Sequence, residues 1–171
     1  VVSVASSKFS DAVGNLNADG AEANNTVTMA VDTVPPTIAV TSNKTSLRTG
    51  QAATLTFTLS ETATDFDVND IVASGGTLSN FSGGGTTYIA TFTPTANSTG
   101  DGVVSVASSA FSDAAGSLNV DGGEANNAVT MTVDTVPPTI AVTSNKTTVG
   151  AGQTATLTFT LSETATDFDV N

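Results

Sequence analysis

The apolar residues of this chain recur mostly at every second position, which is the spacing of half-buried β-strands. Leu55, Phe57 and Leu59 alternate with threonines, and the segment 88–92 has the same spacing. Threonine, valine and isoleucine dominate these segments, in keeping with their preference for strands. No segment has a convincing helical spacing, so the pattern predicts an all-β protein.

The alternating segments predict about seven short strands within about 100 residues, the number expected for an immunoglobulin-like β-sandwich. Glycines between them, such as the run Gly83–Gly85, predict turns because glycine adopts conformations that other residues resist. A compact barrel with the same number of strands is the alternative. We label the predicted strands A to G, at 37–42, 53–60, 63–68, 71–80, 86–93, 103–108 and 128–134.

The chain repeats itself with a period of 102 residues, because residues 1–69 align without a gap with residues 103–171. The run VDTVPPTIAVTSNKT, for example, occurs twice. Such close copies are typical of a long array of interchangeable units, since a unique catalytic site would not need copying. Differences between the copies are scattered, apart from one group at 46–49 and 52 between predicted strands A and B.

The segment Val-Asp-Thr-Val-Pro-Pro, at 31–36 and again at 133–138, predicts a linker between units. Its two prolines fix φ, remove two backbone donors and favour an extended path. With boundaries in this segment, the chain divides into the C-terminal part of one unit, a complete unit and the N-terminal part of the next, at 1–32, 33–134 and 135–171. The predicted fold is therefore a tandem of immunoglobulin-like β-sandwich repeats, one per 102 residues.

The composition leaves mainly oxygen atoms as the groups that could act in catalysis or bind a metal. There is no cysteine and no histidine, which excludes disulfides and zinc-thiolate sites and removes the usual general base near neutral pH. Carboxylate and carbonyl oxygens suit hard cations such as Ca²⁺. Because no suitable base accompanies the many serines and threonines, we do not expect an enzyme.

Sixteen acidic residues against four basic ones give a net charge of −12. The resulting field repels nucleic acid phosphates and anionic membrane surfaces, so we expect no nucleic acid partner. No apolar run approaches the roughly 18 to 20 residues of a membrane span, so we also expect no direct membrane insertion.

Several motifs, taken in order, resemble the bacterial immunoglobulin-like repeats of giant secreted adhesins. They are VDTVPPTIAVTSNKT, LTFTLSE, GGTLSNF, YIATFTPTAN and FSDAAGSLNVDG. Proteins of this kind include biofilm adhesins with the repeats-in-toxin (RTX) type of secretion signal and an ice-binding adhesin. The resemblance implies an extender region, secreted to the bacterial cell surface, that projects a terminal ligand-binding domain and is stiffened by Ca²⁺ at the joints between units.

One residue departs from SDAAGN, the commoner form of a motif in such repeats. Ser117 follows Gly116 in the second copy, whereas the first copy keeps Asn15 at the equivalent position. If the family uses that amide as a ligand, the joint with Ser117 is expected to be the weaker one.

In an immunoglobulin-like topology, the N-terminal linker meets the loop between strands B and C (the BC loop) and the loop between strands F and G (the FG loop) at one pole. Carboxylates gathered there without a cation would repel one another. We therefore predict a Ca²⁺ site at the joint, made by Asp32 of the linker, Glu61 of the BC loop and Asp113 of the FG loop, with Asp121 as a further candidate.

Two more acidic residues, Asp65 and Glu124, belong to the same loops and are weaker candidates. Equivalent partial sites are predicted at Asp11, Asp19, Asp134 and Glu163. The alternative is that all these acidic loop residues are simply solvated and keep the array soluble.

The partners we predict are the neighbouring repeats of the same chain, within a longer array. A further arrangement is head-to-tail complementation between chains, because the first piece carries strands F and G and the last carries A to part of C. The main alternative in function is a repeat that itself binds a glycan or a host protein through exposed loops. The place expected for such adaptation is the loop between strands A and B, where the copies differ most.

Overall fold

The structure, a computed structural model, describes residues 1–18, 24–120 and 125–169. Its complete unit consists of two four-stranded sheets packed on one another, which confirms the predicted immunoglobulin-like β-sandwich. The strands are β1 (Val2–Ser3), β2 (Thr26–Val27), β3 (Ile38–Ser42), β4 (Ser46–Arg48), β5 (Ala53–Leu59), β6 (Ile71–Ser74), β7 (Gly76–Gly84), β8 (Thr87–Pro94), β9 (Gly102–Val106), β10 (Ala128–Asp134), β11 (Ile140–Ser144) and β12 (Leu157–Leu161). One 3₁₀ helix spans Val68–Asp70.

One sheet has the order β3-β5-β8-β7 and is antiparallel throughout. The other has the order β4-β10-β9-β6, in which β4 pairs in parallel with β10 and the remaining pairs are antiparallel. The turn at Gly85 closes the predicted hairpin between β7 and β8. The last strand of the unit, β10, therefore pairs with β4, which lies near the start of the unit.

The core lies between the two sheets and is formed by the residues whose alternation predicted the strands. Leu55, Phe57 and Leu59 are buried, while the threonines between them face outward or are half-buried. Tyr88 stacks on Phe81 with ring centroids 5.6 Å apart. These rings belong to a cluster of aromatic side chains that also contains Phe66 and Phe111.

The predicted positions of strands C and D are wrong. No strand covers 63–68, because Asp67 caps the 3₁₀ helix instead: its carboxylate accepts from the Asn69 N–H, and its own N–H donates to Asp70. The strand that pairs with β9 in the place of C is β6, and D is β7. Gly75, with φ of +72°, separates them where the chain passes from one sheet to the other.

The segment between predicted strands A and B also contains a strand, β4, which the alternation does not predict. It is only three residues long, and Leu47 alone points into the core. A single apolar residue cannot show a period of two, so the sequence pattern has no signal here.

The partial units at the two ends have the local pairing of the complete unit. β1 pairs with β2 in the register of β9 with β10, and β11 pairs with β12 in the register of β3 with β5. Their apolar residues are nevertheless exposed, as Phe9 is at 62 % against 0 % for its equivalent Phe111. The same sequence is therefore buried only where both sheets are present. Among the described residues, no helix is both long and apolar enough to cross a membrane.

Candidate metal centre

The linker before the complete unit is fixed by hydrogen bonds to the loops that it meets. Asp32 forms a turn in which its Oδ1 accepts from the Val34 N–H at 3.1 Å. The carbonyl of Pro36, a buried residue, accepts from the Val120 N–H of the FG loop at 2.9 Å. Ser60, next to Glu61, exchanges hydrogen bonds with Thr37, through its Oγ at 2.9 Å and its N–H at 3.0 Å. The linker, the BC loop and the FG loop therefore meet at one pole of the unit.

The BC and FG loops are also bound to each other. The Thr64 N–H donates to the Ser112 carbonyl at 3.0 Å, and Ala63 forms an isolated bridge with Asp113. Asp65 accepts from both the N–H and the hydroxyl of Ser112, at 2.7 and 3.0 Å. Asp65 therefore has a structural role between the loops, which accounts for its presence without a cation.

Asn119 shapes the FG loop, and sequence reasoning missed it. It is fully buried, and its Oδ1 accepts from the N–H groups of Ala110 and Phe111 at 2.6 and 3.0 Å. Its Nδ2 donates to the Ala107 carbonyl at 2.9 Å. Asn17 makes the same contacts in the first copy, so the available signal was the repeated Leu-Asn pair, whose asparagine is six residues after each FG aspartate.

The structure brings together three of the predicted ligands, Asp32, Glu61 and Asp113. Each offers one carboxylate oxygen, and these oxygens lie within 4.8 Å of one another. Asp32 is exposed, Glu61 is half-buried and Asp113 is only 4 % exposed. The cluster therefore runs from the solvent at the linker to the buried start of the FG loop.

Asp113 has one satisfied and one unsatisfied oxygen. Its Oδ1 accepts from the Ser117 N–H at 2.8 Å. Its Oδ2 is buried and has no hydrogen-bond partner within the part of the chain that the structure describes. A buried carboxylate oxygen without a partner is costly, so a cation or a donor group at this atom would be favourable.

The pKa shifts of Glu61 and Asp113 bear on whether a positive charge would be favourable in this cluster. Burial and the neighbouring carboxylates of Asp32 and Asp113 raise the pKa of Glu61 above its ordinary value. Burial acts against the ionisation of Asp113, but hydrogen bonds from Ser117 and the two residues before it hold the pKa of Asp113 below its ordinary value. Asp113 is therefore ready to act as an anion, while Glu61 lacks the positive charge that would favour its ionised form.

The other predicted ligands are not part of this cluster. Asp121, Asp19 and Glu124 lie outside the described residues. Among the residues that are described, none of Asp134, Glu163 and Asp11 belongs to a cluster of three or more potential metal ligands. The Asp11 carboxylate instead accepts hydrogen bonds from the backbone and side chain of Asn15, at 2.9 Å each.

The donor set fits a hard divalent cation. Ca²⁺ takes about six to eight oxygen ligands, and three carboxylates with loop carbonyls and water can supply them. Mg²⁺ also prefers oxygen but demands a stricter octahedron, which a site assembled from a linker and two loops is less suited to provide. Asp32, Glu61 and Asp113 are the residues that could hold such an ion.

Comparison with known proteins gives one match. Residues 32–132 and 134–171 match the sequence model of the bacterial Ig-like domain. No curated protein and no solved structure matches the chain. The match covers most of the chain, and domains of this kind are typically non-enzymatic. The chain belongs to the bacterial Ig-like domain family.

Proposed function

We propose that the chain is an extender segment of a large, secreted bacterial adhesin of the RTX type. In this proposal each unit adds length to a stalk at the cell surface, and Ca²⁺ at the joints keeps neighbouring units aligned. The observation that carries the proposal is the meeting of linker residue Asp32 with Glu61 and Asp113 within 4.8 Å, beside a buried Oδ2 without a described partner.

The downstream side of the joint supports this role. Asp32 belongs to the linker, whereas Glu61 and Asp113 belong to two loops of the unit that follows it. A cation held by all three would tie the linker to that unit and would remove the repulsion among the carboxylates. Bending at the linker would then require the loss of a ligand.

The contacts of Thr135, in the next linker, support the upstream side of the proposed joint. This residue is 4 % exposed, and its hydroxyl donates to the Thr95 carbonyl at 2.7 Å and accepts from the Ser98 N–H at 2.9 Å. The Thr135 N–H donates to the Ser98 carbonyl at 2.9 Å, and its carbonyl accepts from the Thr49 hydroxyl at 2.9 Å. All its polar groups are therefore bonded to the complete unit.

Thr135 directly follows Asp134, the equivalent of Asp32 one period later. The residue that would bind the cation of the next unit is thus adjacent to a residue fixed in the preceding unit. A joint built in this way has almost no free chain between its two anchors. This arrangement favours a stiff extender over a flexible tether.

The variable segment between β3 and β5 faces the linker, and this favours the extender over direct binding of a glycan or host protein. Its residues Arg48–Gln51 line a surface groove together with Asp134 and the prolines Pro137 and Pro138. Differences between copies at 46–49 and 52 therefore fall largely beside the joint. They are better placed to adjust neighbouring units to each other than to contact a distant ligand.

Calcium dependence of stability in the full chain tests the proposal. Tyr88 is the single tyrosine, there is no tryptophan, and Tyr88 lies in the core of the complete unit, so tyrosine fluorescence follows the unfolding of that unit. Extracellular modules bind Ca²⁺ with dissociation constants of about 10⁻⁴ to 10⁻³ M. At 10 mM Ca²⁺ a constant of about 0.1 mM adds about 2.7 kcal/mol, or a Tm rise of roughly 10 °C, over the value in EDTA.

Two variants make the test specific. Asp113→Asn removes a ligand and is expected to abolish most of the calcium-induced rise in Tm. Glu163→Gln removes one charge from the equivalent position of the last partial unit and is expected to leave the rise intact. X-ray scattering of the same samples should give a larger maximum dimension in Ca²⁺ than in EDTA. Equal Tm values and equal dimensions in both buffers would disprove the joint site.

A further inference from the structure

The FG aspartate begins the same backbone turn in both copies of the repeat. In the second copy the Asp113 N–H donates to the Ser117 carbonyl at 3.1 Å, and the Ser117 N–H donates to Oδ1 at 2.8 Å. In the first copy the Asp11 N–H donates to the Asn15 carbonyl at 3.0 Å, and the Asn15 N–H donates to Oδ1 at 2.9 Å. We call these the Asp113 turn (113–117) and the Asp11 turn (11–15).

Both turns also place a glycine at the same strained position. Gly116 has φ of +88° and Gly14 has φ of +91°, in the region that side chains rarely adopt. The N–H of each glycine donates to the carbonyl of its aspartate, at 3.2 and 3.1 Å. The two turns therefore share one backbone conformation.

The two turns differ in what reaches Oδ2 of the aspartate. In the Asp11 turn, the Asn15 Nδ2 donates to Oδ2 at 2.9 Å. In the Asp113 turn, the shorter Ser117 occupies the position equivalent to Asn15. Hydrogen bonding by its N–H and its hydroxyl lowers the pKa of Asp113, yet Oδ2 has no partner among the described residues. One side chain satisfies the second carboxylate oxygen and the other leaves it open.

We propose that the residue four positions after the FG aspartate sets how strongly each unit depends on its cation for stability. Serine leaves Oδ2 open, so this buried oxygen has no donor among the described residues of the cation-free unit, and a bound cation would satisfy it. Asparagine supplies a donor from within the turn, so the cation must share or displace an existing hydrogen bond. The inference rests on the proposed function of Asp32, Glu61 and Asp113 as a Ca²⁺ site.

The consequence is the reverse of what the motif alone suggests. The commoner form of the motif has asparagine at the position of Asn15. Taken alone, this suggests that the amide is a ligand and that the joint with Ser117 is the weaker one. The geometry instead assigns the stronger calcium dependence to the serine copy, because its cation-free state is the less satisfied one. An array that mixes the two residues would contain joints that respond to different calcium concentrations.

Ser117→Asn in the full chain tests the inference. The substitution introduces the residue that occupies the same backbone turn at Asn15, so the turn accommodates it. We expect a higher Tm in EDTA, a smaller rise in Ca²⁺, and a roughly tenfold weaker apparent dissociation constant, the change that one hydrogen bond of typical net strength produces. Tyr88 fluorescence melts and a calcium titration measure all three.

The control and the possible outcomes separate this inference from the proposed function. Asn15→Ser makes the reciprocal change in the first partial unit and should not alter melting of the complete unit. If the unmodified chain shows no calcium response, the proposed site itself fails. If the unmodified chain responds and Ser117→Asn has the same Tm in EDTA and the same dissociation constant, only the inference about position 117 is overturned. A tighter constant in Ser117→Asn would also overturn it and would make the amide a ligand.

Discussion

The Thr135 hydroxyl is expected to be a main anchor of the linker that leaves the complete unit. Thr135→Val keeps the shape of the side chain and its methyl group but removes the hydroxyl. The hydrogen bonds to the Thr95 carbonyl and from the Ser98 N–H, at 2.7 and 2.9 Å, are then lost. The backbone bonds of Thr135 to Ser98 and Thr49 remain possible, so the perturbation is confined to one atom.

The size of the effect follows from the number of bonds removed. A neutral hydrogen bond contributes about 0.5 to 1.5 kcal/mol net, so losing two should lower the free energy of unfolding by roughly 1 to 3 kcal/mol. For a domain of about 100 residues this corresponds to a fall in Tm of at least about 4 °C. Tyr88 fluorescence melts of the full chain provide the measurement, and hydrogen exchange should show faster exchange at the Ser98 N–H.

Two further variants decide what the side chain contributes. Thr135→Ser keeps the hydroxyl and loses a methyl group, at a cost of about 0.8 kcal/mol. Thr33→Val makes the same change as Thr135→Val at the equivalent linker residue, which is exposed, and should leave Tm unchanged. If Thr135→Ser is more destabilising than Thr135→Val, methyl packing fixes the linker and the hydrogen-bonded anchor is refuted. An effect of Thr33→Val as large as that of Thr135→Val would refute it as well.

Two other predictions concern charge and packing. The raised pKa of Glu61 means that its contribution to stability is present below its unfolded pKa and is lost as pH rises through its folded pKa. Glu61→Gln should therefore raise the Tm in EDTA at pH 7 relative to the unmodified chain, and the two Tm values should differ little in acid. The lowered pKa of Asp113 affects both chains to a similar extent. If the Tm difference between the two chains did not change with pH, the raised pKa of Glu61 would be contradicted. Phe111→Ala should lower the free energy of unfolding, measured by chemical denaturation, by about 3 to 5 kcal/mol. Phe9→Ala changes the equivalent but exposed position and should alter that free energy by no more than about 0.5 kcal/mol. Similar losses in both variants would show that the first partial unit is packed in solution.

Strand alternation predicted much of the core, and the reason is physical. Leu55, Phe57 and Leu59 alternate with threonine because one face of β5 is buried and the other is not. The same rule failed at Phe66 and Val68, two apolar residues that have strand spacing but lie outside any strand. There the capping of a 3₁₀ helix by Asp67 overrides the pattern, and Val68 is 43 % exposed.

The gathering of Asp32, Glu61 and Asp113 could be predicted because topology alone brings their loops to one pole. Asn119 and Thr135 could not be identified in that way. Their importance lies in hydrogen bonds to backbone groups, and other asparagines and threonines of the chain, such as Asn43 and Thr49, form such bonds as well. Which polar side chain becomes buried is decided by the packed loops and has no periodic signature in the sequence.

The parallel pairing of β4 with β10 determines how the unit meets mechanical load. The pairs Ser46 with Thr132, Leu47 with Val133 and Arg48 with Asp134 join the first part of the unit to its last strand. Tension applied along an array pulls these two strands in opposite directions along their own axes. Their hydrogen bonds are then loaded in shear and must break together, whereas an antiparallel terminal pair would open one bond at a time. The parallel pairing thus suits the unit to bear tension along its length.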